Sequence, residues 1–129
     1  MKTVIITGAA NGVGKAVAEI LKSERLILID IDRENLIQLA NNINSKYYIC
    51  DVSCNEQISK TIADIQNNYE QVDCLINCAG MWIAGDMSNI NKEQYSEMNE
   101  LTRVKKVIDT NLFGVIAMIE CIFPIMQKQ

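Results

Sequence analysis

Apolar and polar positions alternate between two periods along this chain. Val4-Ile5-Ile6-Thr7 is a short apolar run of the kind a buried strand shows. Val13, Ala16, Val17, Ile20 and Leu21 then recur at helical spacing and predict a helix from Gly14 to about Ser23. Leu26-Ile27-Leu28-Ile29 is continuously apolar, as a strand covered on both faces should be. Leu36, Leu39, Ala40 and Ile43 mark a second helix, and Tyr47 to Cys50 a third strand. Ser53 followed by Glu56 reads as a capping box opening a helix that carries Ile58, Ile62, Ile65 and Tyr69. Val72 to Asn77 is a fourth strand. The stretch from Trp82 to Glu100 is polar and reads as loop plus short helix. A long helical stripe follows through Val104, Val107, Ile108, Asn111, Leu112, Val115, Ile119 and Ile122, with Pro124 near its end.

Strand–helix alternation of this kind predicts a parallel sheet with helices on both faces. Right-handed crossovers make it a doubly wound, Rossmann-like α/β fold in three layers. No repeat, linker or low-complexity tract divides the chain, so residues 1–129 form a single domain.

Composition narrows the classes of partner. The formal net charge is −4 and no basic run occurs, which argues against nucleic acid and anionic membrane. No apolar stretch is read as reaching the ~20 residues of a membrane span. Met1-Lys2-Thr3 leads straight into the first strand without a signal peptide, so the cytoplasm is the expected compartment. Cys50, Cys54, Cys74, Cys78 and Cys121 are odd in number, which argues against a disulfide framework. With no histidine and no tight cysteine pair, no metal site is expected.

The chemistry concentrates at strand ends. Gly8, Gly12 and Gly14 sit in the turn from the first strand to the first helix. Glycines there let a phosphate approach free backbone N–H groups, joined in this reading by Asn11 and Val13. A P-loop is excluded, because five residues separate Gly8 from Gly14-Lys15 and Ala16 replaces the magnesium-binding hydroxyl. Asp30 closes the second strand, 22 residues after Gly8. A carboxylate there accepts the adenosine ribose hydroxyls and repels a 2′-phosphate, which favours NAD over NADP. Ile31 follows it at the same site. Asp32 could compete with Asp30 and reads better as a helix N-cap; Arg33 keeps NADP as the minority reading.

Together the Gly8/Gly12/Gly14 spacing, Asp30, the Asn77-Cys78-Ala79-Gly80 segment and Asn111 resemble the short-chain dehydrogenase/reductase family. The likeness runs from Thr3 to about Met126 but covers only the first half of a typical member. It implies that Asp51 and Val52 lie along the adenine. It makes Asn77, Cys78, Ala79 and Gly80 a variant of the family's Asn-Asn-Ala-Gly signature beside the cofactor ribose. It makes Asn111, on the apolar stripe, the asparagine that holds a water in the catalytic proton relay.

The family's serine and Tyr-x-x-x-Lys are missing: four residues after Tyr47, Tyr48, Tyr69 and Tyr95 stand Asp51, Val52, Asp73 and Asn99. The segment between Gly80 and Asn111 is also longer than the family norm. The implied activity is hydride transfer between NAD(P) and a small alcohol or carbonyl substrate, with this chain supplying the cofactor half and inactive alone. The alternatives are a non-catalytic dinucleotide-binding or partner-completing module, a folded product without function, and a nucleotide-sugar epimerase, whose glycine spacing differs. Truncation after the helix that follows strand four leaves that strand at an edge. With the apolar last helix, this predicts a homo-oligomer or completion by another chain.

Overall fold

A computed structural model describes residues 1–83 and 100–128. The strands are β1 (Thr3–Thr7), β2 (Arg25–Asp30), β3 (Lys46–Ile49) and β4 (Cys74–Asn77). The helices are α1 (Gly12–Ile20), α2 (Arg33–Ile43), α3 (Asn55–Asn68), α4 (Glu100–Ile108) and α5 (Gly114–Met126), with a π-helical stretch, Asp109–Phe113, joining the last two. The loop expected between Trp82 and Glu100 falls largely outside the described residues.

All strand pairs are parallel, in the order β3-β2-β1-β4. Ile5 pairs with Ile27 on one side and Leu75 on the other. Side chains alternate across a sheet, so the two faces collect different residues. Ile5, Ile27 and Ile29 pack with Ile58, Ile62 and Ile65 of α3 and with Met118 and Ile122 of α5. Val4, Ile6, Leu26 and Leu28 pack with Ala18 of α1 and with Leu36, Leu39 and Ala40 of α2. This is the three-layer doubly wound architecture expected from the alternation, with β4 at an edge of the described sheet.

Three helical expectations are corrected. In α1, Val13 and Ile20 are 72% and 77% exposed and Ala16 is exposed; Gly14 and Ala18 face the sheet instead. The helix lies too close to β1 for larger residues. The capping box does not form: Cys54 is the N-cap of α3, without a side-chain bond. Ser53 donates its N–H (2.9 Å) and hydroxyl (2.7 Å) to Asp51 Oδ1, a local turn that competes with the helix end.

In the last helix, Gly114, Met118, Ile122 and Ile125 are buried, while Leu112 and Ile119 are exposed. Gly114 and Met118 are buried one residue before the expected positions 115 and 119, whereas Ile122 is buried as expected. The wide π turn shifts the helical phase just after it. Pro124 does not end the helix, which continues to Met126. The continuous helix Thr102–Met126 contains an 18-residue window of mean hydropathy 1.6, and by length and composition alone it could cross a membrane. The sequence reading of no apolar stretch of that length therefore does not hold. Its buried stripe packs on α3 and the sheet, while only 17% of its most apolar window is buried.

Asp73 ties β4 to the start of β1. Its carboxylate accepts from Thr3 N–H (2.7 Å), Gln71 Nε2 (3.0 Å) and Lys2 Nζ (3.1 Å). The Thr3 bond first, then the Lys2 ammonium, hold this carboxyl below its ordinary value of 3.8. A depressed pKa contributes stability above the unfolded value and loses it as pH falls through the folded one. Urea titrations should therefore show Asp73→Asn less stable than wild type at neutral pH. The gap should close below about pH 4. A gap unchanged with pH would show that the charge plays no part.

Candidate functional site

The carboxyl ends of β1, β2 and β4 meet at the glycine turn. Gly8 has φ +64°, and a Cβ there would lie 2.6 Å from the backbone of Cys78 and Ala79. At Gly14 a Cβ would lie 2.1 Å from the Gly8 carbonyl oxygen. Both glycines are therefore required by close backbone packing. Gly12 differs: its φ is +52°, yet nothing lies within 4 Å of its Cβ position. It keeps the turn open on the outside. The first-turn N–H groups of Gly12, Val13 and Gly14 have no carbonyl four residues back within α1. An opening bounded by such donors fits a pyrophosphate.

Asp30 stands beside this turn. Its Oδ2 accepts from Ala10 N–H and its Oδ1 from Asp32 N–H, both at 2.9 Å. A carboxylate offers about four acceptor positions, so both oxygens keep capacity for a ligand's hydroxyls. Ile31 is 65% exposed just beyond it. Asp32 is the N-cap of α2, as expected, accepting from Asn35 N–H at 3.2 Å. Asn11 precedes α1 without capping it by its side chain; its Nδ2 donates to Asp32 Oδ2 at 3.0 Å. The sequence reading missed this bond and the Ala10–Asp30 bond, because both span separate segments.

Asp51 and Val52 follow β3. Asp51 N–H donates to Gln57 Oε1 at 2.9 Å, and Cys50 N–H to the Asp30 carbonyl at 3.0 Å. Val52 is buried, and a Cβ on Gly114 would sit 2.8 Å from its carbonyl oxygen. The α5 helix thus fixes this turn by direct backbone contact, a role the sequence reading did not give Gly114.

The Asn77–Gly80 segment is held from two sides. Thr7 carbonyl accepts from Cys78 N–H (3.2 Å), and Thr7 Oγ1 from Ala79 N–H (3.1 Å). Asn77 Oδ1 is buried without a hydrogen-bond partner among the described residues. A Cβ on Gly80 would lie 3.5 Å from Asn111 Oδ1.

Asn111 lies in the π-helical stretch and is exposed, not on a buried face as its place in the stripe implied. Its Oδ1 accepts from Met81 N–H and its Nδ2 donates to the Met81 carbonyl, both at 2.8 Å. Burial, then the hydroxyl's bond to Asp64, raise the Tyr48 pKa, the wrong direction for an acid near neutrality.

The comparisons agree with this geometry. The short chain dehydrogenase family model matches residues 2–129. An uncharacterised oxidoreductase of Staphylococcus epidermidis is 24% identical over 132 residues, which cover 99% of this chain and 54% of the relative. An NAD-dependent glycerol dehydrogenase of Listeria innocua is 32% identical over 118 residues, 88% of this chain and 46% of that enzyme. A crystal structure of a short-chain dehydrogenase from Streptomyces avermitilis superposes with a TM-score of 0.80 at 25% identity, over 98% of this chain and 45% of that one. The chain spans about half the length of the curated relatives it matches.

Proposed function

The chain belongs to the short-chain dehydrogenase family, and on that premise we propose that it binds NAD as the cofactor half of an oxidoreductase acting on an alcohol or carbonyl substrate. The observation that carries the proposal is the 2.9 Å bond from Ala10 N–H to Asp30, which brings phosphate turn and ribose-facing carboxylate to one mouth. When bound, the nicotinamide would give or take the hydride. Gly12, Val13 and Gly14 N–H groups would hold the pyrophosphate, with Asn11 beside them. Asp30 and Ile31 would face the adenosine ribose, and Asp51 and Val52 the adenine. Asn77, Cys78, Ala79 and Gly80 would border the second ribose, and Asn111 would hold the catalytic water. Asp30 at the ribose favours NAD over NADP.

No Tyr-x-x-x-Lys occurs in the chain. Alone it would bind cofactor without turning over substrate, and it works in the cytoplasm together with a second copy or a completing chain. That same absence favours a second reading, a non-catalytic dinucleotide-binding module. Calorimetric titration with NAD should give saturable binding. Asp30→Ala should weaken it by about 1–3 kcal/mol, the scale of a charged hydrogen bond. An unchanged dissociation constant would remove Asp30 from the adenosine site. Turnover of any alcohol by the isolated chain would defeat the claim of inactivity.

A further inference from the structure

The N-cap role of Asp32 accounts for only part of its surroundings. Asn35 serves the cap, through its N–H to Oδ1 at 3.2 Å and its Nδ2 to Oδ2 at 2.6 Å. The bond from Asn11 Nδ2 to Oδ2 at 3.0 Å comes from 21 residues away, on the phosphate turn just before Gly12. It adds nothing to capping. It draws the Asp32 carboxylate to the same mouth as Asp30, whose Oδ1 already accepts from Asp32 N–H. The Asn35 side chain first, then the Asn35 backbone, then Asn11, hold the Asp32 carboxyl below its ordinary value, so it is charged at neutral pH.

Two carboxylates therefore stand at this mouth. The side-chain amide donors that could have met a phosphate, on Asn11 and Asn35, are both turned onto Asp32. The neighbouring cation, Arg33, is exposed between Asp32 and Glu34. A neutral ribose gains from acceptors there, whereas a 2′-phosphate brings negative charge to a place stocked with negative charge.

We propose that Asp32, positioned by Asn11, is a second specificity-determining carboxylate that excludes dinucleotides phosphorylated at the adenosine 2′-hydroxyl. The assignment rests on the dinucleotide reading above. Asp32→Asn tests it well, because asparagine caps helices as well as aspartate. Dissociation constants of NAD and NADP for the full chain are measured by calorimetry at low and high salt, with thermal melts to confirm folding. In Asp32→Asn the NADP-to-NAD ratio of dissociation constants should fall about tenfold at low salt, the scale of one partly screened charge pair. NAD affinity itself should stay within about twofold, since cap and ribose contact both remain. Raised salt should shrink the wild-type ratio more than that of the variant. Asn11→Ala should lower the ratio in the same direction by less. A ratio unmoved in Asp32→Asn but moved in Asp30→Asn would reduce Asp32 to a helix cap and leave the dinucleotide site standing. Failure of the wild-type chain to bind either dinucleotide would overturn both.

Discussion

Gly14→Ala is expected to cost about 3 kcal/mol of stability, the upper range for an overpacked site, and to abolish NAD binding. The added Cβ would lie 2.1 Å from the Gly8 carbonyl oxygen and 3.1 Å from Ala9 Cα. These are backbone atoms and cannot rotate aside. Displacing Gly8 does not relieve the clash, because Gly8 is itself seated against the backbone of Cys78 and Ala79 at 2.6 Å from its Cβ position. Strain at α1 is thus passed to the end of β4. Gly12→Ala provides the contrast. It meets no atom within 4 Å, and its φ of +52° is the only obstacle. A single residue in that region costs about 1–2 kcal/mol. That variant should fold, with a modest drop in urea midpoint, yet bind NAD weakly because a methyl intrudes where the pyrophosphate approaches. Urea unfolding paired with calorimetry separates the two. A Gly14→Ala protein with the wild-type midpoint would mean that the turn is not packed as described.

Met118→Ala and Ile122→Ala should each destabilise the protein by about 2–5 kcal/mol, the range for emptied core positions. Both side chains are at most 1% exposed and sit between α3 and the sheet. Ile116→Ala and Ile119→Ala, at residues 42% and 46% exposed, should change monomer stability by less than about 0.5 kcal/mol. Leu112, Phe113 and Phe123 share their exposure. This outer side is where we propose that a second copy or a completing chain sits. Sedimentation velocity should then show wild type self-associating and an Ile116→Ala/Ile119→Ala double variant associating less. A wild-type chain that stays monomeric at high concentration would defeat the association. Equal losses of stability at 118 and 119 would defeat the packing.

That second prediction turns on a feature only partly legible in the sequence. The central strands β1 and β2 were readable because they are walled in on both faces, so Leu26 to Ile29 had no polar position to confuse the period. The turn at Gly8, Gly12 and Gly14 and the carboxylate of Asp30 were readable because their chemistry is local and their spacing fixed. The inner faces of α1 and α5 were not. Helical stripes are found from bulky side chains, and both helices press glycines onto backbone, Gly14 on Gly8 and Gly114 on Val52. Just after the π turn the buried positions are Gly114 and Met118 and not Val115 and Ile119, while Ile122 keeps its expected place. Ser53 misled because its hydroxyl had a nearer partner in Asp51 than the helix it seemed to cap. Asn111 stood out on the sequence stripe, but its partner, the backbone of Met81, lies 30 residues earlier and leaves no periodic trace.

One amide side chain occupies both the N–H and the C=O of Met81. The path of the chain leaving β4 is therefore held first by Thr7 of β1 and then, at Met81, by a helix. Asn111 sits next to Leu112 and Phe113, which face outward on the same helix. Gly80 lies against the same side chain, its Cβ position 3.5 Å from Asn111 Oδ1. One asparagine thus joins the outward side of the helix to the turn that leaves β4.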